Sequence, residues 1–220
     1  MSGANASLYL VDRMVSAEPR PSVRERGVSD LDLRTLVKAR LAPILQNTSA
    51  VVLIEELGLC RGQARVDLAL VNGRLHGFEI KSDQDSLRRL PAQAKIYATV
   101  LERATLVTTV RHVDRALGIL PRWWEVLVAK VTGLGHLTLN RVRRGRLNPD
   151  VDPRAMAELL WYEDAISLLR AHGAQRGVLR KPRSVVWDRI CDRLQDREIR
   201  SAVLDALKAR RARPFARPLS

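Results

Sequence analysis

Apolar residues recur at every third or fourth position between residues 29 and 46, which predicts a helix with one apolar face. Ser29 or Asp30 is positioned to cap this helix at its start. Because Asn72-Gly73 is typical of a tight turn, the runs on either side of it should form a hairpin. In all, three runs rich in β-branched or alternating apolar residues predict strands: 51–57, 65–71 and 75–81.

The pattern then alternates again between helix and strand. The segment from residue 83 to about 103 contains a predicted helix with Pro91 in its first turn or at a kink, and 104–110 predicts a fourth strand. A fifth strand is predicted over 125–131, paired with 136–142. Helical spacing of apolar residues then covers three segments: 153–172, 184–194 and 196–211.

This order of elements predicts an α/β fold with three parts. Residues 1–27 mix Pro, Gly and charged residues without a sustained period and predict a flexible N-terminal arm. Residues 28–131 form the core, in the order helix, three-strand meander, helix and strand, and residues 132–220 form a basic, mainly helical extension. The four Trp residues are expected in the core of the protein.

The chain is strongly basic, with 38 Lys and Arg against 24 Asp and Glu and a formal net charge of +14. Residues 131–220 carry +9 of this charge and residues 1–130 carry +5. Basic groups that neutralise phosphates release counterions, so a surplus of this size favours nucleic acid as the partner. Only six of the basic residues are Lys, and an Arg excess is also compatible with coding composition alone.

Other classes of protein find no support in the sequence. Cys60 and Cys191 stand far apart with no Cys or His cluster near either one, so neither a zinc site nor a disulfide framework is expected. The chain also has no apolar run of membrane-spanning length and no signal peptide pattern at its start. We therefore expect a soluble cytoplasmic protein with no membrane partner.

The register of the predicted hairpin decides where its charged residues lie. A two-residue turn would mix carboxylates with apolar groups on both faces, whereas a three-residue loop over 72–74 sets Asp67 against Glu79 and Arg65 against Lys81. Burial should select the second register, or an equivalent bulge, with the two carboxylates side by side. The opposite face is then apolar and consists of Val66, Leu68, Leu70, Phe78 and Ile80.

Two carboxylates that face each other across a sheet repel, so a cation between them would be stabilising. Mg²⁺ or Mn²⁺ suits such an oxygen site together with water and a phosphate. Lys81 is positioned to orient or deprotonate an attacking water and to stabilise charge that develops on a phosphorus centre. The alternative is a solvated polar face held by ion pairs from Lys81 to Asp67 and from Arg65 to Glu79.

These hairpin residues resemble the signature of the PD-(D/E)XK, or restriction-endonuclease-like, nuclease superfamily. The resemblance covers residues 30–112 and rests on Asp67, Glu79 and Lys81 in a hairpin flanked by helices. Val66 stands where the superfamily's name has Pro. A narrower resemblance, to a small uncharacterised bacterial family, rests on Gly62-x-x-Arg65-Val66-Asp67, Glu79-Ile80-Lys81-Ser82-Asp83-x-Asp85-x-x-x-Arg89-Leu90 and Gln93-x-x-x-Tyr97.

The resemblance implies a restriction-endonuclease-like core and a Mg²⁺-dependent nuclease that acts on nucleic acid, with DNA as the expected substrate. Asp67 and Glu79 would bind the metal with help from Ile80 in the same strand, and Lys81 would be the catalytic lysine. The resemblance also implies that Gln93 and Tyr97 face the site, although Tyr97 falls on the apolar stripe of its helix as well.

An additional acidic residue completes the site in the superfamily and usually lies on the first helix, which here contains no Glu. Asp32 and Glu56 are the candidates. Glu56 is favoured as a catalytic residue and metal ligand because it ends a strand beside the hairpin, whereas Glu55 would point to the opposite face.

Basic residues cluster around the hairpin and in the C-terminal region. The two short helices 184–194 and 196–211 are compatible with a helix-turn-helix, with packing on the core or with a homodimer. A DNA-binding protein of this fold without catalysis, and an interaction subunit of a larger assembly, remain alternatives to a nuclease. The residues expected to contact nucleic acid are Arg65, Arg88, Arg89, Arg143, Arg144, Arg180, Lys181 and Arg183.

Overall fold

The computed structural model describes residues 27–46, 48 and 50–212. The arm predicted over residues 1–27 lies outside the described residues, apart from Gly27. The described part is a mixed α/β structure with one six-stranded sheet, so the predicted α/β class is confirmed. No helix in these described ranges is long and apolar enough to cross a membrane.

The strands lie side by side in chain order, so the sheet begins as an antiparallel meander of the first three. The fourth and fifth strands run parallel to their predecessors, and the sixth is antiparallel to the fifth. Each parallel pair needs a crossover connection, and a helix fills both of them. The strands are β1 (Val52–Leu59), β2 (Ala64–Val71), β3 (Leu75–Lys81), β4 (Arg103–Thr109), β5 (Glu125–Val131) and β6 (Leu137–Arg143).

Seven α-helices are found among the described residues. One precedes the sheet, two connect parallel strands, and four follow the last strand. They are α1 (Asp30–Gln46), α2 (Leu90–Val100), α3 (Val113–Ile119), α4 (Pro153–Ala157), α5 (Tyr162–Ala171), α6 (Arg183–Arg193) and α7 (Asp196–Ala212).

The predicted hairpin register is confirmed. Residues 68–71 of β2 pair with residues 75–78 of β3, and the loop between the strands contains Asn72, Gly73 and Arg74. Gly73 has a φ of +63°, a left-handed conformation that glycine adopts without steric cost.

The predicted apolar face is correct for four of its five residues and wrong for Val66. Leu68, Leu70, Phe78 and Ile80 pack with α1, but Val66 packs on the opposite face with α2. The alternation therefore breaks between Val66 and Leu68, at the position where Asp67 lies.

Local turns set the helix boundaries inside two of the predicted helical segments. The helix predicted within residues 83–103 begins at Leu90, because Ser82 donates both its backbone N–H and its hydroxyl to the Asp85 carboxylate and forms a turn. A short 3₁₀ helix over Leu87–Arg89 precedes it, and Pro91 lies in the first turn of α2. The pattern over 153–172 is two helices, α4 and α5.

The helices α4 to α7 pack on the sheet through one hydrophobic cluster. That cluster contains Leu106 of β4, Trp124, Leu160, Ile190 and Val203, so residues on both sides of position 131 share a core. Glu102 adds a buried polar link, since its carboxylate accepts from Arg74, the Leu75 backbone and Arg200 of α7. The parts predicted as 28–131 and 132–220 thus contact each other extensively.

Candidate active site

The Glu79 carboxylate is the centre of a buried polar cluster in β3. Its side chain is 1% exposed and that of Lys81, two residues later, is 7% exposed. Lys81 Nζ lies 2.6 Å from Glu79 Oε1, and Gln93 Nε2 lies 2.8 Å from the same oxygen. The Tyr97 hydroxyl donates to Glu79 Oε2 and also lies 2.8 Å from the Arg65 carbonyl oxygen. Both residues expected from α2 therefore face Glu79.

Asp67 lies where β2 and β3 stop pairing through their backbones. Its Oδ2 accepts the Ile80 backbone N–H at 2.7 Å, in the place where a ladder hydrogen bond would be expected. Its Oδ1 faces Arg34 of α1 at 3.0 Å, and the side chain keeps 20% of its surface exposed. Asp67 is thus the more accessible of the two carboxylates in the predicted pair.

The pKa of Asp67 is raised to about 6, chiefly by burial and then by the nearby charge of Glu79. The Ile80 N–H, Arg34 and Lys81 oppose this shift. The pKa of the Tyr97 hydroxyl is raised as well, first by burial and then by the Glu79 charge. Tyr97 therefore acts as a hydrogen-bond donor at neutral pH, and Asp67 ionises at a cost in stability.

Arg34 is the residue at this site that sequence reasoning missed. Its Nη2 lies 2.7 Å from Glu56 Oε1 and 3.0 Å from Asp67 Oδ1, and its Nε lies 2.6 Å from Asp30. The guanidinium therefore holds Glu56 beside Asp67. The only signal in the sequence was a cation in the second turn of the first predicted helix.

The ion pairs differ from those weighed for a solvated polar face. Lys81 pairs with Glu79 rather than Asp67, and Arg65 Nε pairs with Glu56 Oε2 at 2.7 Å rather than with Glu79. Asp32, the other candidate for the additional acidic residue, accepts from the Ser29 backbone and hydroxyl at the start of α1.

The donor set fits a hard divalent cation in part. Asp67 and Glu79 are neighbouring all-oxygen donors, and Mg²⁺ is commonly bound through one or two carboxylates plus water. The amide oxygen of Gln93 is buried beside Glu79 with no hydrogen-bond partner in the described ranges, which leaves an unused acceptor at the site. No group of three or more His, Cys, Asp or Glu arranged for a metal is found in the part of the chain that the structure describes.

The residues expected to contact nucleic acid have different surroundings. Arg143 donates to the carbonyls of Leu120, Pro121 and Trp124, so its guanidinium stabilises the fold. Burial lowers the pKa of Arg143, helped by nearby Arg122. The remaining members of the set are exposed: Arg65, Arg88, Arg89, Arg144, Arg180, Lys181 and Arg183.

Asp83 and Asp85, which belong to the narrower motif, stabilise local structure. Asp83 accepts the Val28 N–H at 2.8 Å and the Thr109 hydroxyl at 2.6 Å, which ties the segment before α1 to the end of β4. Asp85 closes the turn that follows Lys81. Both residues therefore support the strand that carries Glu79 and Lys81.

Comparison with known proteins places most of the chain in one family. Residues 33–217 match the family described as "Bacteriophage P4 protein cII". A similar curated protein is "Protein cII" from Enterobacteria phage P4, which is 46% identical over 59 residues. That match covers 27% of this chain and 22% of the relative, so the chain matches about a fifth of the length of that protein.

Among solved structures, the chain resembles a protein of unknown function from Silicibacter pomeroyi. The two share 22% sequence identity with a TM-score of 0.39. The likeness covers 69% of this chain and 90% of that one.

Proposed function

The chain belongs to the bacteriophage P4 protein cII family, and we propose that it is a metal-dependent nuclease of the PD-(D/E)XK type. Under this proposal it hydrolyses phosphodiester bonds in nucleic acid, with DNA as the expected substrate, in the cytoplasm. The order of α1, the meander, α2 and β4 supports a restriction-endonuclease-like core.

The observation that carries the proposal is the convergence of Lys81, Gln93 and Tyr97 on the Glu79 carboxylate, with Asp67 near enough for the Glu79 charge to raise its pKa. Burying a Lys–Glu pair costs desolvation free energy that the attraction between the charges often does not repay. The buried Lys81–Glu79 pair, beside Asp67 with its raised pKa, is therefore better explained by a catalytic role than by a contribution to folding stability.

Each residue has a defined part in the proposed reaction. Lys81 holds its ammonium beside the phosphate position, where it orients the attacking water and stabilises negative charge in the transition state. Gln93 and Tyr97 fix the Glu79 carboxylate through their hydrogen bonds, so the acceptor geometry is set before substrate binds.

Asp67, Glu79 and the main chain of Ile80 would hold Mg²⁺ or Mn²⁺, and Glu56, which shares Arg34 with Asp67, is a further carboxylate beside them. When bound, the cation would polarise a phosphate oxygen and make water more acidic. The Arg34 guanidinium contacts Oδ1 of Asp67, so an ion bound at this oxygen would replace the contact with Arg34.

A cleavage assay with a matched control tests the proposal. The protein is incubated with DNA and with RNA, with Mg²⁺ or Mn²⁺ and then with EDTA. We expect metal-dependent cleavage that falls by about 10²- to 10⁴-fold in Lys81→Ala, because a charge at the reacting centre is lost.

Lys38→Ala is the control, because Lys38 also forms a Lys–Glu ion pair, 2.7 Å from Glu55, but with side chains that are 43% and 48% exposed rather than buried. This variant should cut like the wild type. Equal cleavage by Lys81→Ala, with folding verified by circular dichroism, would remove Lys81 from the mechanism.

A second candidate is a nucleic-acid-binding protein of the same fold without catalysis. The observation in its favour is that both oxygens of Asp67 and both oxygens of Glu79 already have protein partners. A salt-sensitive gel shift without cleavage in any divalent metal would support this candidate. If neither cutting nor binding occurs, the protein is better sought as a subunit of an assembly, including a homodimer.

A further inference from the structure

A groove of about 890 Å³ lies between the first strands of the sheet and the C-terminal helices. One wall is formed by β1 and the turn that follows it, and the other by the segment before α5, the start of α6 and the end of α7. We name it the Trp161 groove. Its lining includes Leu57, Arg61, Trp161, Arg183, Leu207 and Arg210.

The Trp161 groove combines an apolar lining with exposed cations. Ile54 and Leu57, which are both half-buried, provide aliphatic surface. Trp161 is 42% exposed, which corrects the expectation that all four Trp residues lie in the core. Arg61 and Arg183 are exposed at the groove. Aromatic rings and Arg groups together are the usual means of holding unpaired bases and their phosphates.

The positive charge at the groove is not fully neutralised by acidic side chains among the described residues. Glu158 is the acidic residue of the lining, and it pairs with Arg154 at 2.8 Å. Arg210 pairs with Asp164 and lies over the Trp161 ring at 4.2 Å. Over the described ranges, Arg61 and Arg183 form no ion pair, so both are available to an anionic partner.

Unfavourable backbone conformations occur beside this groove. Four non-glycine residues of the described chain have a left-handed φ: Glu56, Cys60, Arg61 and Arg180. Cys60 and Arg61 line the groove, Glu56 precedes Leu57, and Arg180 lies two residues before Pro182. Such conformations cost on the order of 1–3 kcal/mol each and occur most often at functional sites.

The Trp161 groove and the candidate active site lie on neighbouring strands. Gly58 in the groove wall pairs with Arg65 of β2, and the Arg65 carbonyl oxygen lies 2.8 Å from the Tyr97 hydroxyl beside Glu79. Glu56, which shares Arg34 with Asp67, is the residue before Leu57. A chain that extends from the groove past Glu56 would therefore approach Asp67.

We propose that the Trp161 groove binds a single-stranded segment of nucleic acid and guides it to Asp67 and Glu79. This inference rests on the proposed function. A duplex presents phosphates but keeps its bases stacked, so it would leave Trp161 and the aliphatic lining unused. An apolar peptide would leave Arg61 and Arg183 without partners. A flexible single strand can place its bases against Trp161 and the aliphatic lining and its phosphates beside Arg61 and Arg183.

Binding is measured by fluorescence anisotropy of a labelled 12-nucleotide single strand in EDTA, so the result does not depend on cleavage. The double variant Arg61→Glu/Arg183→Glu should bind at least about tenfold more weakly than the wild type. The control, Arg115→Glu/Arg122→Glu, changes the net charge equally at two exposed residues outside the groove and should lose much less.

Trp161 supplies a readout that locates the strand. Trp123, Trp124 and Trp187 are each less than 10% exposed, so quenching by the oligonucleotide should come mainly from Trp161. The quenching should disappear in Trp161→Phe. Tighter binding of a duplex of the same length, or absence of quenching in the wild type, contradicts the proposal.

Equal weakening in both double variants would mean that net charge alone binds the strand, and it would overturn the groove proposal. Normal binding by Arg61→Glu/Arg183→Glu, with cleavage lost only in Lys81→Ala, rejects the groove and keeps the nuclease. Loss of binding in the groove variant, without cleavage in any metal, keeps the groove and rejects the nuclease.

Discussion

At the scale of a single residue, the Asp67 carboxylate has two opposing effects on the stability of the fold. Its carboxylate replaces a ladder hydrogen bond by accepting the Ile80 N–H, which stabilises the divergence of β2 and β3. Its charge is nevertheless unfavourable in this environment, as the pKa of about 6 shows. A residue retained at such a cost is a good candidate for a functional group.

Asp67→Asn should therefore stabilise the protein above pH 6. A folded-state pKa of about 6, against the ordinary 3.8, means that the protonated form favours folding and that this contribution is lost as the pH rises through 6. A neutral amide removes the penalty, and we expect a gain of about 1–2 kcal/mol at pH 8.

Thermal unfolding of the wild type and of Asp67→Asn at pH 8 and pH 4 measures this effect. The difference in Tm should be a few degrees at pH 8 and much smaller at pH 4, where Asp67 is protonated in the folded chain and only partly ionised in the unfolded chain. Asp205→Asn, at a side chain that is 72% exposed, is the control for the loss of a surface carboxylate. A constant difference at both pH values would contradict the assigned cause.

Individual residues of the site were predictable to different extents. The Asp67, Glu79 and Lys81 set follows from an alternating strand pattern around a turn, because a one-residue shift would have mixed the faces. Arg34 was not predictable, since its contacts depend on how α1 packs across the sheet. Arg143 was expected to contact nucleic acid, whereas its guanidinium donates to three backbone carbonyls. Contacts of this kind leave no pattern in the sequence.

At the scale of elements, β3 carries the site, and its packing depends on Gly77. A Cβ atom at this position would clash with Leu101 Cδ1 and would lie 3.0 Å from Val66 Cγ2. Leu101 and Val66 are both fully buried, so neither side chain has room to move. The absence of a side chain at Gly77 lets β3 approach the residues that follow α2.

Gly77→Ala should therefore destabilise the fold by about 1–3 kcal/mol through overpacking. Gly58→Ala is the control, because Gly58 also lies in a strand and its Cβ would meet no atom within 4 Å. Urea unfolding of the two variants gives the comparison. Equal stabilities would show that Leu101 adjusts at no cost.

The exact ends of the helices depend on local turns of the backbone. The helix α2 begins only at Leu90 because a side-chain turn at Ser82 and Asp85 competes with the helix, and Pro91 favours a first-turn position. The break between α4 and α5 covers residues 158–161 within a continuous apolar pattern. Periodicity records which residues are buried, but it does not record where the backbone turns.

At the scale of the whole molecule, residues 131–220 carry +9 of the net charge of +14. The helices of this region pack on the same core as the sheet and form one wall of the Trp161 groove. Sequence patterning predicted the α/β class and the register of the hairpin. It could not predict the groove, because its two walls are distant in sequence and meet only through tertiary packing.

The most direct test of the central claim compares metal-dependent cleavage of single-stranded DNA by the wild type and by Asp67→Asn. This variant is expected to be at least as stable as the wild type at pH 8, so a loss of activity would not reflect unfolding. We predict that cleavage in Mg²⁺ or Mn²⁺ falls by about 10²- to 10⁴-fold while the strand is still bound. Unchanged cleavage by Asp67→Asn would contradict the assignment of the active site.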